Sequence, residues 1–580
     1  MGGRATDTSI KLSGVTTNVL GGATSLSPDS ADAHNALGLA LRQRGRLSEA
    51  IESYQCAIEM RPESADQYNN LADALQEAGR LEEAIAAYRR ALVLQPAFVE
   101  VSYNLATALQ ESGRVEEAIE AYRLTLRLAP SLAEAHMMLG NALGAAGRPE
   151  DAINAYHDAI RLRPDYAEAF HNLGLAMFAR RRYEEAVAAA LRATELRADF
   201  PEAFRALGCA YERCGRMFEA VAMYRKALVL RPTYPEAYNS LGWNYYQSAK
   251  LPEAISALET ALAQRPEYAE ARLSRAMLLL SQGDFERGLP EYEARWEASK
   301  RSATRGFPQP VWDGGDLHGK TILLHAEQGL GDVIQFCRYV PLIRARGGRV
   351  VVRCWRPLKR LFTGQLDIED VCTDKELPPP FDTHCPIASL PRMFQTRLET
   401  IPANVPYLGV DQSLVEWWRQ RLAGDPPGLR VGLVWAGDPD HSNDHLRSAA
   451  LATFAPLASV PGVCFYSLQS GPGAEQALNP PAGMTIRFFD DGVGDMASTA
   501  ALMQNLALVI AVDTSAGHLA GAIGRPVWLL LHLVPDWRWM LGRADTPWYP
   551  TMRLFRQTRL GDWSAPVAAM VRELRAMTRR

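Results

Sequence analysis

Apolar residues recur through the first half of the chain with the spacing of amphipathic helices. Two neighbouring apolar stripes illustrate the spacing: Tyr68, Leu71, Ala72 and Leu75, then Leu81, Ala84, Ile85, Tyr88 and Ala91. Gly79 stands between the two stripes and Pro96 follows the second, where residues that end a helix are expected. The pattern therefore predicts pairs of short helices joined by a tight turn.

This helix pair returns every 34 residues. The register is marked by Pro62, Pro96, Pro130, Pro164, Pro232 and Pro266, with Ala198 at the one position that lacks proline. The period and the small residues that accompany it resemble the tetratricopeptide repeat. We read seven repeats over residues 31–268, followed by a degenerate unit at Ala269–Lys300 that loses the proline and contains Trp296. The resemblance implies a helical solenoid that holds polypeptides in a groove.

From about residue 303 the pattern changes to short β-branched runs that alternate with helical stretches. The predicted strands are Thr321–Ala326, Arg349–Cys354, Arg430–Trp435, Val463–Leu468, Ala507–Val512 and Pro526–Leu531. This alternation favours parallel sheets flanked by helices. The stretch Gly424–Gly428 suggests a boundary between two α/β halves. The predicted organisation is a flexible segment at 1–30, a repeat array at 31–302, and α/β halves at 303–425 and 426–580.

Composition narrows the function classes without choosing among them. The formal net charge of −4 gives no electrostatic reason to expect nucleic acid, and no basic cluster indicates a membrane surface. The eight cysteines form no zinc-like spacing, and no signal peptide or long apolar stretch is evident. A cytoplasmic protein is expected. A homo-oligomer is compatible with these features.

The first candidate motif is a glycine turn between a strand and a helix predicted to begin near Val333. It contains Glu327, Gln328, Gly329, Gly331 and Asp332. The glycines allow a substrate to approach the backbone, and a helix N-terminus favours anions or an acidic cap. Asp332 as a plain helix cap is an equally good interpretation of the spacing alone.

The second candidate follows the apolar run that ends at Val512. Asp513, Thr514 and Ser515 begin the next helix, and His518 lies one turn further on. Backbone N–H groups and hydroxyls at this position could hold a diphosphate. An ordinary cap with a core histidine is the alternative.

Polar residues after two other strands complete the candidate site. Arg447 could neutralise a leaving phosphate, and Ser467 and Gln469 could meet a ribose or base at the carboxyl edge of the sheet. Asp438-Pro439-Asp440 superficially matches a metal-binding DxD motif. A turn is the better interpretation there, because Asp-Pro favours turns and further oxygen ligands are lacking. No metal is expected.

Together and in this order, these motifs resemble the heptosyltransferase-like glycosyltransferases of family 9. The resemblance covers residues 315–560, and it implies a GT-B domain of two facing Rossmann-like halves after the repeat solenoid. It also implies that Asp332 is the base and that Asp513, Thr514, Ser515 and His518 bind the donor phosphates, with no cofactor beyond the nucleotide sugar. Segments such as Asp536–Trp539 and Pro547–Pro550 are similar to bacterial repeat-bearing glycosyltransferases, including flagellin glycosyltransferases. Relatives often have Lys where this chain has Ser442, which leaves the strength of donor binding open.

The repeats would then choose the acceptor. Asn70, Asn104 and Asn172 match an asparagine ladder that grips peptide backbone in O-GlcNAc transferases, whereas the sixth positions of the other repeats do not. The expected activity is inverting, metal-independent transfer of a sugar to Ser or Thr hydroxyls of a bound protein, with flagellin as a candidate. Two alternatives remain: an enzyme with a glycan acceptor, and an inactive repeat scaffold that binds nucleotide sugar.

Overall fold

The computed structural model describes residues 30–299, 306–441, 443–489, 491 and 493–579. The predicted N-terminal segment lies outside these residues, apart from Ser30. The described residues divide into two compact units that meet in the sequence at Arg231 and Pro232.

The first unit consists of paired helices with the predicted period. They are Ala31–Gln43, Leu47–Met60, Ala65–Glu77, Leu81–Leu94, Val99–Glu111, Val115–Leu128, Ala133–Ala145, Pro149–Leu162, Ala167–Ala179, Tyr183–Leu196, Pro201–Arg213 and Met217–Leu230. The helix break at Gly79 uses a left-handed backbone, φ +75°, which glycine adopts without strain. The fully buried Ala50, Ala84 and Ala118 allow the two helices of a pair to pack closely.

In several repeats of the first unit, the small residue of the first helix faces a tyrosine ring on the second helix: Gly38 faces Tyr54, Gly140 faces Tyr156 and Gly208 faces Tyr224. A Cβ added to Gly140 would lie 2.5 Å from Cε1 of Tyr156, while nothing lies within 4 Å of a Cβ added to Gly144 in the same helix. The buried Tyr156 ring is held by a hydrogen bond from its hydroxyl to Oδ1 of Asn141. With the ring in this position, a Cβ at residue 140 has no room.

We expect Gly140→Ala to lower the free energy of unfolding of the first unit by about 1–3 kcal/mol, because the buried ring has to shift. The matched variant Gly144→Ala should instead raise it by up to about 1 kcal/mol, since alanine is the better helix former and the site is open. Urea unfolding followed by circular dichroism measures both changes. Equal effects of the two substitutions would contradict this account of the packing.

The second unit begins with further helices of the repeat type and continues into two parallel sheets. The helices are Pro235–Gln247, Leu251–Gln264, Ala269–Ser281, Phe285–Tyr292 and Arg295–Ala298. The strands are β1 Thr321–His325, β2 Arg349–Cys354, β3 Ile368–Thr373, β4 Thr383–Pro386, β5 Leu429–Val434, β6 Val463–Ser467, β7 Ile486–Arg487, β8 Leu508–Val512, β9 Val527–Leu531 and β10 Met552–Arg556. Their orders are β3-β2-β1-β4 and β10-β9-β8-β5-β6-β7.

Helices flank both sheets, as the alternating pattern predicts. The α-helices are Leu330–Phe336, Val340–Ala345, Arg356–Phe362, Leu390–Met393, Gln412–Arg421, Asp444–Arg447, Met496–Gln504, Ser515–Ala522 and Ser564–Thr578. The 3₁₀ helices are Cys337–Tyr339, Ile387–Ser389, Leu398–Thr400, Leu451–Ser459, Ala474–Leu478 and Trp537–Trp539. The predicted fold class, a repeat solenoid followed by an α/β region with parallel sheets, is confirmed. Within the part of the chain that is described, no helix is both long and apolar enough to span a membrane.

Aromatic side chains join the parts of the second unit. The rings of Phe285 and Tyr292, from the degenerate repeat, contact Trp537 edge-on with centroids 5.9 and 5.8 Å away. Phe336, which follows β1, stacks on the same indole at 6.5 Å. Because Trp537 follows β9, one buried cluster connects the last repeat helix with both sheets.

Candidate functional site

A cavity of about 980 Å³ lies at the carboxyl ends of strands from both sheets. This is the edge at which parallel α/β sheets generally bind ligands. The loops after β1, β5, β6, β8 and β9 contribute to its wall, and two helices of the second unit, Pro235–Gln247 and Ala269–Ser281, contribute Trp243, Tyr246, Gln247 and Met277. Most of the predicted site residues line it: Glu327, Gln328, Gly329, Gly331, Asp332, Arg447, Gln469, Asp513, Thr514, Ser515 and His518.

Asp332 lies in the first turn of the helix Leu330–Phe336, which begins three residues before the predicted start. Its Oδ2 accepts a hydrogen bond of 2.8 Å from the backbone N–H of Gly329, so the side chain does cap its own helix. Its Oδ1 forms an ion pair with the buried Arg538. Burial raises the pKa of the Asp332 carboxyl, and the positive charge of Arg538 opposes that rise.

The helix Ser515–Ala522 presents its N-terminus to the same cavity. The backbone N–H groups of Ser515 and Ala516 form no hydrogen bond among the described residues, and the side chain of Thr514 leaves them uncapped because it bonds to the Val512 carbonyl at 3.2 Å. Arg447 is the last residue of the short helix Asp444–Arg447 and lines the same cavity, with its Nε 3.3 Å from Oδ1 of Asp444. Free N–H groups and a cation together make this end of the cavity suitable for an anion.

His518 lies between the glycine turn that precedes Asp332 and the start of the helix Ser515–Ala522. A Cβ on Gly331 would be 2.7 Å from its Cδ2, so the glycine turn and the imidazole are in direct contact. Trp539 stacks on the ring at 5.0 Å, and the hydroxyl of Tyr549 lies 3.0 Å from Nδ1. Burial, followed by the charges of Arg538, Arg338 and Arg447, lowers the pKa of His518 well below its ordinary value. The imidazole is therefore neutral at physiological pH.

The side chains of three predicted site residues already form hydrogen bonds or ion pairs within the protein. Gln469 accepts from the backbone N–H groups of Trp435 and Ala436, both at 3.0 Å, and its amide donates to the Ala436 carbonyl at 3.0 Å. Glu327 forms a buried ion pair with Arg295 and accepts from the Ala388 backbone. The side chain of Gln328 bonds to the Tyr292 hydroxyl at 3.1 Å.

One other predicted residue, Ser467, stands apart from the cavity wall. Ser467 at the end of β6 is 1% exposed, and the structure does not bring it to the cavity. Ser442 lies outside the described residues. The predicted independence from a metal stays a prediction, although no group of three potential metal ligands occurs among the described His, Cys, Asp and Glu residues.

The asparagines proposed for the peptide groove lie in the first unit and are half-buried. Asn70 donates to Oδ1 of Asn35 at 2.9 Å, and Asn172 donates to Oδ1 of Asn141 at 2.9 Å. Asn104 donates weakly to Asp73 at 3.3 Å. Each amide thus links neighbouring repeats. Asn70 and Asn104 keep one N–H and the carbonyl oxygen for other partners, whereas Asn172 also donates to Sδ of Met137 at 3.6 Å and keeps only its carbonyl oxygen.

The cavity also contains residues that carried no role in the sequence interpretation. Arg538 and Asp536 follow β9, in a segment that the sequence analysis used only for resemblance. His532 lies at the end of the same strand with a ring that is 4% exposed, and burial lowers its pKa to about 4. These three polar residues follow a fully buried strand within seven positions, and that pattern could have indicated a site at the carboxyl end of the strand.

Asp513 provides a test of the electrostatics of the site. Burial, reinforced by the negative charge of Asp536, raises its pKa to about 6, against the opposing charge of Arg447. Because this carboxyl is harder to ionise in the folded protein than in the unfolded chain, the folded state holds its proton more tightly. The resulting stabilisation is complete below about pH 4 and disappears as the pH rises through about 6.

We therefore expect Asp513→Asn to remove a pH-dependent loss of stability of about 2 kcal/mol between about pH 4 and pH 8. Urea unfolding of both proteins across this range measures the difference in slope. Parallel stability profiles for wild type and variant would show that Asp513 ionises normally.

Comparisons with known proteins identify the repeats. The tetratricopeptide repeat models match residues 38–79 and 140–180, residues 69–133 and 239–303, and residues 203–238. Protein FlbA of Caulobacter vibrioides is 27% identical over 327 residues, which cover 52% of this chain and 54% of that protein. The chain spans about half the length of this curated relative.

Two similar solved structures each cover about a third of the chain. The crystal structure of MamA is 30% identical, with 30% of this chain and 93% of that chain covered at a TM-score of 0.28. YrrB, a TPR protein with an unusual peptide-binding site, is 26% identical, with 32% and 96% covered at a TM-score of 0.29. The tetratricopeptide repeats predicted from the 34-residue period are confirmed by the family models, and such repeats indicate protein-binding partners in general.

Proposed function

We propose that the protein is an inverting, metal-independent glycosyltransferase that moves a sugar from a nucleotide sugar to a Ser or Thr hydroxyl of a protein selected by the repeats. One observation carries the proposal: the carboxylate of Asp332, whose side chain is 14% exposed, and an uncapped helix N-terminus at Ser515 face the same cavity from opposite sheets. Such an arrangement places a base and an anion site on two sides of one reacting centre.

The Ser515 end would bind the diphosphate of the donor. The N–H groups of Ser515 and Ala516 can donate to phosphate oxygens, and Arg447 adds a positive charge beside them. Stabilisation of the departing diphosphate is the larger electrostatic demand of the reaction. Fixed N–H groups and a cation can stabilise this negative charge without reorganisation. In other transferases a metal ion has this role.

His518 would assist as a neutral hydrogen-bond donor. Tyr407 donates its hydroxyl proton to the Ile334 carbonyl at 2.9 Å and accepts from Arg338 at 3.0 Å. The tautomer that serves this role has Tyr549 donating to Nδ1 of His518, the closer of the two neighbours of its hydroxyl. With Nδ1 accepting, the imidazole proton resides on Nε2, where it can be offered to an oxygen of the donor.

Asp332 would remove the proton of the acceptor hydroxyl. The hydroxyl oxygen forms a bond to the anomeric carbon while the bond from that carbon to the diphosphate oxygen breaks, and the electron pair leaves with the diphosphate. The acceptor proton is transferred to the carboxylate. Attack from the face opposite the leaving group inverts the anomeric centre. A pKa raised by burial suits a carboxylate to this role.

The repeats of the first unit would select the acceptor. The free N–H and carbonyl of Asn70, and the carbonyl of Asn172, can pair with the backbone of an extended peptide. Flagellin is the candidate acceptor that the sequence resemblance suggests. The cytoplasm is the matching location, because nucleotide sugars are the co-substrates.

The intact mass of a candidate acceptor, measured after incubation with the full chain and a panel of nucleotide sugars, tests the proposal. A gain equal to one sugar residue on the protein is expected with one donor class. A gain on a free glycan in place of the protein would favour the glycan-acceptor alternative. Donor binding without transfer to either acceptor would favour the inactive scaffold.

A further inference from the structure

Arg538 is placed to bind an anion in the cavity, a role that neither the motifs nor the comparisons assign to it. It lies in the 3₁₀ turn Trp537–Trp539 after β9, and its side chain is only 5% exposed. The guanidinium lies over the rings of Phe336 at 5.1 Å and Trp537 at 4.8 Å. These contacts hold a permanent cation in the wall of the cavity with little freedom to leave.

The guanidinium divides its donors between two acids. One terminal nitrogen pairs with Oδ1 of Asp332 and the other with Oδ1 of Asp536 at 2.7 Å, while Nε has no partner among the described residues. Asp332 lies in the helix that follows β1 and Arg538 in the 3₁₀ turn that follows β9, so the pair connects the two sheets. Both oxygens of Asp332 are engaged, since Oδ2 accepts from Gly329.

The same cation acts on the anion site. The positive charges of Arg538 and Arg447 both act to lower the pKa of Asp513 and of His518. These two residues lie on either side of the start of the helix Ser515–Ala522. A diphosphate bound at this helix start would therefore lie within the field of Arg538. A guanidinium binds phosphate oxygens in the same forked manner as a carboxylate, and a diphosphate carries more negative charge than one carboxylate.

We propose that Arg538 is a positioning residue that releases Asp332 to bind the diphosphate of the donor, so that the base becomes free only after the donor is bound. This inference rests on the proposed function. It predicts an ordered reaction in which the donor enters first. In the protein without donor, Arg538 holds the carboxylate and weakens it as a base.

Binding linkage supplies the test. If Asp332 and the diphosphate compete for one guanidinium, removal of the Asp332 charge has to strengthen diphosphate binding. We expect Asp332→Asn to lower the Kd by about tenfold, measured by calorimetry on the full chain with UDP, ADP, GDP, CDP and inorganic pyrophosphate as probes. Asparagine has the shape of aspartate and keeps an oxygen for Gly329, so the variant retains its helix cap.

A double-mutant cycle with Arg538→Gln separates competition from simple charge removal. In the Arg538→Gln background, Asp332→Asn should change the Kd by less than about twofold. Arg538→Lys should restore part of the affinity that Arg538→Gln loses, since a cation returns without the fork. An unchanged Kd in Asp332→Asn, or the same gain in both backgrounds, would overturn the inference.

The outcome also separates this inference from the proposed function. Tighter diphosphate binding in Asp332→Asn, with no sugar transfer by the wild type, would support the role of Arg538 and count against the transferase. Sugar transfer by the wild type, with an unchanged Kd in Asp332→Asn, would support the transferase and count against the role of Arg538. If none of the probes bound either the wild type or Asp332→Asn, the inference would be overturned.

Discussion

Asp332→Asn is expected to lower the rate of sugar transfer by about 10²- to 10⁴-fold, the usual contribution of a general base. The amide cannot accept the acceptor proton, although it can still accept the Gly329 N–H that caps the helix. The measurement is kcat for transfer to the acceptor, followed by intact mass under saturating donor. KM for the donor should fall, because loss of the Asp332 charge frees Arg538 for the diphosphate.

A capping aspartate elsewhere in the second unit provides the matched control. Asp411 begins the helix Gln412–Arg421 and accepts from the N–H of Ser413 at 2.9 Å, away from the cavity. Asp411→Asn makes the same chemical change at a cap and should keep the wild-type rate. If both variants transferred sugar at the same rate, Asp332 would be a helix cap and no more.

Glu327→Gln is expected to lower the free energy of unfolding of the second unit by about 1–3 kcal/mol, because the buried Arg295 loses its main counter-charge and keeps only Glu293, at 2.7 Å. The two side chains are 3% and 6% exposed, and two hydrogen bonds of 2.8 and 3.0 Å join them. Arg295 also donates to Ser389 at 2.7 Å, so the loss of one acid disturbs a larger network. Urea unfolding monitored by tryptophan fluorescence measures the loss.

An exposed ion pair in the same unit is the control for charge removal. Glu416 pairs with Arg419 on one helix face, where the two side chains are 46% and 62% exposed. Glu416→Gln should leave the unfolding midpoint unchanged, since solvent screens such pairs. A Glu327→Gln protein with wild-type stability and a raised KM for the acceptor would instead favour the acceptor-loop role suggested by the sequence.

The ion pair of Arg295 and Glu327 also gives the degenerate repeat a structural purpose. Arg295 lies in the short helix that follows the last repeat helices, and Glu327 follows β1. The pair and the aromatic cluster around Trp537 attach the end of the repeats to the α/β region. The departure of this unit from the repeat pattern, with Trp296 gained and proline lost, is consistent with its packing against another fold rather than against a further repeat.

All six strands predicted from the sequence are present within a residue of their expected ends, and all four unpredicted strands lie at sheet edges. The edge strands are β3, β4, β7 and β10. An edge strand has a neighbour on one side only and tolerates polar residues, as Glu369 and Asp370 in β3 show by their exposure. Its apolar pattern is therefore too weak to recognise.

The sequence by itself determined the repeats, the central strands and the positions of Asp332 and Ser515 at the starts of helices, because each depends on residues within a few turns of one another. Only the tertiary structure decided which polar groups share the cavity and which are occupied by the protein. Arg538 and Asp332 are 206 residues apart, and Glu327 and Arg295 are 32 apart. Such pairings depend on how the sheets and helices pack, and the periodicity of a local segment does not predict that packing.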